Sequence, residues 1–260
     1  MGESLTLLEF AILAVGACLA GAMNAIAGGG TIVTFPLLIA FGMPAIQANA
    51  TSTVALLIGL GGSIFGYRKN LPAALPWMKL FAPVSIVGGL LGAWLLTVTN
   101  EKFFNDLVPF LILFATVLFL LGNTIARLAG IDGDEVAMQP AHRMAAAFAQ
   151  FCVAIYGGYF GAGIGILMLA ALGFIGLKNI HEMNAIKTLL GALINVVAAA
   201  YFIWAGLVIW PQAIVMTLGA ALGYYGGAAF TQKIPQTRVR QLIAAIGLIL
   251  SVVFFWRQFL

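Results

Sequence analysis

Ten apolar runs follow one another along this chain, and the segments that join them are mostly short. The runs lie at about residues 5–27, 31–42, 47–67, 73–97, 104–127, 144–160, 164–177, 184–205, 211–231 and 238–259. With 63% hydrophobic and 8% charged residues, a soluble fold of 260 residues cannot cover this much apolar surface. A membrane-spanning helix needs roughly 20 apolar residues. The sequence therefore predicts an all-α integral membrane protein, in which the second and seventh runs are too short to span as straight helices.

The chain repeats itself at a constant offset of 135 residues. The matched positions carry glycine, proline and asparagine, which an apolar sequence does not match by chance as readily as leucine. The pairs include Gly28 with Gly163, Gly30 with Gly165, Asn49 with Asn184, Thr53 with Thr188, Pro76 with Pro211, and Gly88 with Gly223. We interpret this as an internal duplication within one membrane domain. It gives a first transmembrane repeat at 1–129, a polar cytoplasmic linker at 130–143, and a second transmembrane repeat at 144–260.

Each repeat holds about five membrane segments, an odd number, so the second repeat is predicted to enter the membrane from the opposite side. The basic residues test these two inverted repeats. One side carries Arg68, Lys69, Arg127, Arg143, Lys178, Lys187, Lys233, Arg238 and Arg240, and the other carries Lys102 and Arg257. The positive-inside rule places the first side in the cytoplasm and both termini outside. A re-entrant pair formed by the first two segments would give the same balance, so whether the short segments span stays open.

Glycines interrupt the same place in both repeats. The first break is Gly28, Gly29 and Gly30, followed by Thr31, and the second contains Gly163 and Gly165. Paired interrupted segments in inverted repeats predict a transporter binding site. Glycine lets the backbone unwind there, which leaves N–H groups for an anion. Other glycines have the four-residue spacing of close helix packing; these are Gly88, Gly92, Gly219, Gly223 and Gly227.

A polar stripe follows each break. Residues three and four apart share a helix face, so one stripe contains Asn49, Ser52 and Thr53. The other contains Asn184, Lys187 and Thr188. An ionisable residue in a membrane span indicates function, and Lys187 supplies a positive charge for an anion. The alternative for Lys187 is snorkelling to the cytoplasmic interface.

The sequence offers little for catalysis. His181 and Glu182 precede the eighth segment and are expected to be solvated, with proton coupling as the alternative. No G-x-S-x-G, H-E-x-x-H or phosphate-binding G-x-x-x-x-G-K-[ST] pattern is found. The basic residues lie in loops rather than on a polar face, which argues against nucleic-acid binding. We expect no enzyme activity, no catalytic residue, no metal ligand and no cofactor.

Three motifs resemble a known family. They are "AGGGT" at 27–31 with Pro36, "ANATST" at 48–53, and "GAGIG" at 161–165 with Asn184 and Lys187. In order and duplication they resemble the TauE/SafE sulfite-exporter-like family of bacterial inner-membrane proteins. The resemblance implies a secondary transporter of small sulfur-containing anions, such as sulfite or organosulfonates, with export as the favoured direction. An anion channel, or an uptake permease for another small organic or inorganic anion, is the alternative.

The resemblance also implies a set of site residues, mechanism and partners. The implied substrate-binding residues are Gly28, Gly29, Gly30, Thr31, Asn49, Thr51, Ser52, Thr53, Gly161, Gly163, Gly165, Asn184, Lys187 and Thr188. Alternating access in the lipid bilayer of the inner membrane is the expected mechanism. The small-residue helix faces permit a homodimer, and coupling to protons is left open.

Overall fold

The computed structural model describes residues 6–26, 29–59, 61, 64, 71–128, 140–174, 177, 179–230 and 236–259, and within them the regular structure is helical. In chain order the helices with defined bounds are α1 (Leu7–Ile26), α2 (Thr31–Ala40), α3 (Ala45–Leu56), α4 (Leu71–Val98), α5 (Glu101–Leu128), α6 (Pro140–Tyr159), α7 (Ile164–Phe174), α8 (Ile180–Trp204), α9 (Trp210–Phe230) and α10 (Gln236–Phe259).

Five of these helices contain segments that are long and apolar enough to cross a membrane. The segments are Leu7–Ala25, Pro72–Val98, Glu101–Gly122, His181–Trp204 and Gln241–Phe259. By contrast, α2 has 10 residues and α7 has 11, which at 1.5 Å per residue gives only about 15–17 Å. The prediction of an all-α membrane protein with a short helix at the same place in both halves is confirmed.

Two boundaries differ from the sequence prediction. The third apolar run, expected at 47–67, holds the 12-residue α3, which ends at Leu56. The N–H of Leu57 bonds to the carbonyl of Val54, three residues back, so the chain tightens into a turn before helical backbone resumes at 58–59. The sixth apolar run, expected from about residue 144, lies in α6, which begins earlier, at Pro140. Proline suits the first helical position, because an N–H there would have no acceptor within the helix and proline lacks this group.

The two halves exchange a helix. The most extensive helix contact joins α1 to α9, and the next joins α4 to α6; the repeat offset relates these two pairs. The result is two four-helix modules. The first module contains α1, α2, α3 and α9, and the second contains α4, α6, α7 and α8. One buried apolar cluster is built from the second module's helices and Leu177, and α5 packs on α10 beside both modules.

Glycine makes both exchanged contacts possible. An added Cβ at Gly219 or Gly223 would collide with the carbonyls of Ala14 or Cys18 on α1. At Gly88 it would lie 2.8 Å from the Phe151 carbonyl on α6. The predicted packing role is therefore confirmed for these glycines, and also for Gly92 against Ile155, while the surroundings of Gly227 lie outside the described part of the chain.

Candidate functional site

The first break is stabilised by hydrogen bonds of a side chain on α1. Gly29 has a φ of +91°, a conformation that favours glycine. The N–H of Gly30 donates to Asn24 Oδ1 over 2.7 Å, and Asn24 Nδ2 donates to the Tyr224 hydroxyl, also over 2.7 Å. An α1 amide thus caps the N–H next to α2 and ties it to α9. The third predicted glycine of this break, Gly28, lies outside the described residues.

The second break uses a different support. Gly161 and Gly163 have φ values of +80° and +79°, so both adopt the left-handed region that glycine tolerates. The hydroxyl of Tyr156 donates to the Ala162 carbonyl over 2.7 Å and fixes the turn between these glycines. The glycines of both breaks therefore serve the backbone conformation that ends one helix and begins the next.

The two breaks meet at Phe119, a buried residue of α5. A Cβ added at Gly29 would lie 2.6 Å from Phe119 Cζ, and one added at Gly163 would lie 3.7 Å from Phe119 Cε2. One aromatic ring therefore contacts the break of each module. Sequence reasoning missed Phe119, although the repeat offset pairs it with Phe254, and that match was the available signal.

The hydroxyls of the first polar stripe form hydrogen bonds within the protein in this conformation. Thr34 donates to the Gly30 carbonyl over 3.2 Å, so the Ser52 hydroxyl, 2.6 Å from Thr34, donates to Thr34. Thr53 donates to the carbonyl of Asn49 in its own helix, and Thr51 accepts from the N–H of Ile209. The hydroxyl protons of Ser52 and Thr53 thus go to neighbouring groups of the chain.

Asn49 is the exception within this stripe. Its Nδ2 donates to the Tyr159 carbonyl at the end of α6 over 2.9 Å, which joins the two modules. The carbonyl of Tyr159 accepts and cannot donate, so this contact fixes the amide orientation. Asn49 Oδ1 is then buried without a hydrogen-bond partner in the described part of the chain. A buried acceptor without a partner costs about 1–3 kcal/mol.

One residue of the second stripe, Lys187, lies against the second break. The side chain of Lys187 covers Gly165, where an added Cβ would lie 3.2 Å from Lys187 Cδ. Gly165 is in the first turn of α7, so the positive side chain passes the positive end of the helix dipole. An anion there would offset both charges.

The remaining predicted residues flank these contacts. Thr31 is the first residue of α2. On α8, Asn184 lies about one turn before Lys187 and Thr188 lies one residue after it. Thr31, Asn184 and Thr188 are all half-buried. Glu182 is not simply solvated as expected, because it is half-buried and accepts from the Trp77 indole N–H over 2.8 Å. His181 is exposed, as expected. Among the residues searched, His, Cys, Asp and Glu form no group that could hold a metal ion.

Comparison with known proteins identifies the family. The sequence model described as "Sulfite exporter TauE/SafE" matches residues 13–254. The chain belongs to the TauE/SafE family. One relative is "Probable membrane transporter protein YfcA" of Escherichia coli K12, 30% identical over 90% of this chain and 85% of that protein.

Two further relatives have similar names and coverage. "Probable membrane transporter protein ORF9" of Sinorhizobium sp. is 27% identical over 93% of this chain and 90% of its own length. A "Probable membrane transporter protein" of Haemophilus influenzae is 27% identical over 91% of this chain and 90% of its own length. No solved structure gives a significant match. This TauE/SafE chain is therefore a multi-pass membrane protein, and the relatives it matches over most of their length are named probable membrane transporters.

Proposed function

We propose that this protein is a secondary transporter that exports small sulfur-containing anions, such as sulfite or organosulfonates. The family description and the names of the relatives support transport rather than catalysis. The observation that carries the anion assignment is the packing of Lys187 over Gly165 at the start of α7. The side chain of a lysine beside a helix N-terminus favours a small anion over a cation or neutral solute.

The exchanged modules suggest which bodies move. Alternating access in inverted-repeat transporters is rigid-body rocking around a fixed site. Here the moving bodies are the two modules rather than residues 1–129 against 144–260, because α1 and α4 each pack most extensively on a helix of the other repeat. Phe119 and the Asn49–Tyr159 hydrogen bond lie between the modules.

Rocking would change the partners of the first polar stripe. Separation of α3 from the end of α6 frees the amide of Asn49, whose Nδ2 can then donate to an oxyanion. Asn49 Oδ1 can accept from a hydroxyl of a protonated oxyanion or from water. Lys187 offsets the substrate charge in both states, since Lys187 and Gly165 belong to the same module.

The charge balance supports a proposed topology. We propose the inner membrane as the location, with both termini outside, since basic residues favour the cytoplasmic side. The proposal also includes coupling of transport to protons and assembly of the protein as a homodimer.

The experiment is flux through purified protein in proteoliposomes. Sulfite, thiosulfate, sulfate, taurine and chloride are loaded in turn, and exchange is followed with and without a pH gradient. Saturable, trans-stimulated flux of a sulfur anion with chloride inert supports the proposal. Unsaturable flux that passes chloride indicates a pore, and flux of a different anion contradicts the substrate class.

A further inference from the structure

An open apolar groove runs along the outside of the first module. It has a volume of about 600 Å³ and lies between α1, α2 and α10. On α1 its lining extends from Ala11 to Leu19, and on α10 from Ile246 to Arg257. At 1.5 Å per residue these stretches are about 12 and 16 Å long. The groove is therefore elongated along the helices, and its volume is within the range of ligand sites, roughly 300–1,000 Å³.

Arg257 gives the groove a polar end. It is the last residue of α10 that lines the groove and the only charged one among the described lining residues. Its side chain is exposed, and within the described ranges it forms no ion pair. The predicted topology puts Arg257 on the side of the membrane that carries few basic residues, where the positive-inside rule does not explain it.

The chemistry of this groove fits one kind of occupant. Val15 and Leu19, both on the α1 wall, are 62% and 58% exposed, so the groove opens to hydrocarbon rather than to water. A single extended acyl chain matches an apolar channel with its long axis along the helices. A guanidinium at the end matches a phosphate, which it binds through two parallel hydrogen bonds.

We propose that this groove binds one anionic phospholipid, with an acyl chain between α1, α2 and α10 and its headgroup phosphate on Arg257. The site is separate from the breaks at Gly29 and Gly163, and the proposal does not rest on the transported substrate. A lipid packed against α2 and α10 would also stabilise the contact between the first module and α10.

The test is native mass spectrometry of the full chain in detergent, with phosphatidylglycerol or phosphatidylcholine of identical acyl chains added. The wild type is expected to retain one phosphatidylglycerol in preference to phosphatidylcholine. Arg257→Ala should weaken phosphatidylglycerol binding about fivefold, the effect of one basic residue at an anionic membrane surface. Lys102→Ala, an exposed cation on the same predicted side, is the matched control and should change nothing.

A second variant tests the acyl chain. Ala11→Trp places an indole in the groove near the start of α1 and should reduce binding of both lipids. Equal binding of the two lipids by the wild type, or equal losses in Arg257→Ala and Lys102→Ala, would overturn the proposal. So would a lipid-free dimer that Ala11→Trp dissociates, because the occupant would then be a second copy of the chain.

Discussion

Asn49 Nδ2 donates to the backbone carbonyl of Tyr159 over 2.9 Å, and this bond joins α3 of one module to the end of α6 of the other. It leaves Asn49 Oδ1 buried without a partner in the described structure. A contact that is favourable for one atom and costly for the other suits an interface that opens in the proposed transport cycle. We therefore expect Asn49 to report on the change between conformations.

Asn49→Asp should reduce sulfite flux by about tenfold or more, because the carboxylate loses the donor to Tyr159 and repels an anion. The matched control is Asn100→Asp, at an exposed position whose side chain accepts from the Lys102 N–H, a contact that aspartate keeps. Flux is measured at equal reconstituted protein. Unchanged flux in Asn49→Asp would remove this residue from the transport cycle.

Gly29→Ala should destabilise the protein more than Gly42→Ala. Both glycines have positive φ, at +91° and +79°, so each substitution costs about 1–2 kcal/mol in backbone strain. At Gly42 an added Cβ meets nothing within 4 Å, whereas at Gly29 it lies 2.6 Å from Phe119 Cζ. The measurement is the thermal midpoint in detergent.

Phe119→Leu tests the cause of that difference. If the ring is what the new methyl group meets, the double variant Gly29→Ala/Phe119→Leu should be more stable than additivity predicts. Strict additivity would mean that Phe119 does not hold the first break.

Gly165→Ala should weaken substrate binding without unfolding the protein. Gly165 lies in α7, and the three atoms nearest to its added Cβ all belong to the flexible side chain of Lys187, the first at 3.2 Å, so this side chain must move. We expect KM for the anion to rise severalfold while the thermal midpoint changes little. Gly191→Ala is the control, since an added Cβ there has nothing within 4 Å. The same KM in both variants would mean that Lys187 does not take part in anion binding.

Trp77→Phe should lower stability, whereas Glu182→Gln should have little effect. The indole N–H of Trp77 donates to Glu182 over 2.8 Å, and loss of this donor leaves a half-buried carboxylate unpaired, at a cost of about 1–3 kcal/mol. Glutamine keeps an acceptor for the indole. If Glu182→Gln abolished the pH dependence of flux, Glu182 would be a proton-coupling residue instead of a link between α4 and α8.

The sequence predicted helices well where length and apolar composition decide them. The short α2 and α7 follow from the glycines that precede them, and the packing role of Gly88 and Gly223 follows from their spacing. Contacts between distant residues were not predictable. Trp77 lies 105 residues from Glu182, and neither the exchange of α1 and α4 between modules nor the position of Phe119 between the breaks is encoded in local periodicity. The turn at Leu57 was missed because apolar residues continue past it.

The sequence also overestimated how many donors of the first polar stripe are free to bind a ligand. Side-chain type and helical spacing identified Asn49, Ser52 and Thr53 as available donors. Whether a hydroxyl is free depends on nearby carbonyls, and those of Gly30 and Asn49 accept from Thr34 and Thr53. Lys187 was predicted from its charge, its spacing from Asn184 and Thr188, and the family motif, but its placement over Gly165 required the fold.

The most direct measurement is sulfite flux in proteoliposomes for Lys187→Ala, Lys187→Arg and Lys79→Ala. Lys79 is an exposed lysine on α4 and controls for a general loss of positive charge. If Lys187 offsets the substrate charge, Lys187→Ala should lose about tenfold or more of the flux, since a charged hydrogen bond contributes about 1.5–3 kcal/mol. Lys187→Arg should keep part of it, and Lys79→Ala should match the wild type. Equal flux in Lys187→Ala and Lys79→Ala would contradict the anion site at the start of α7.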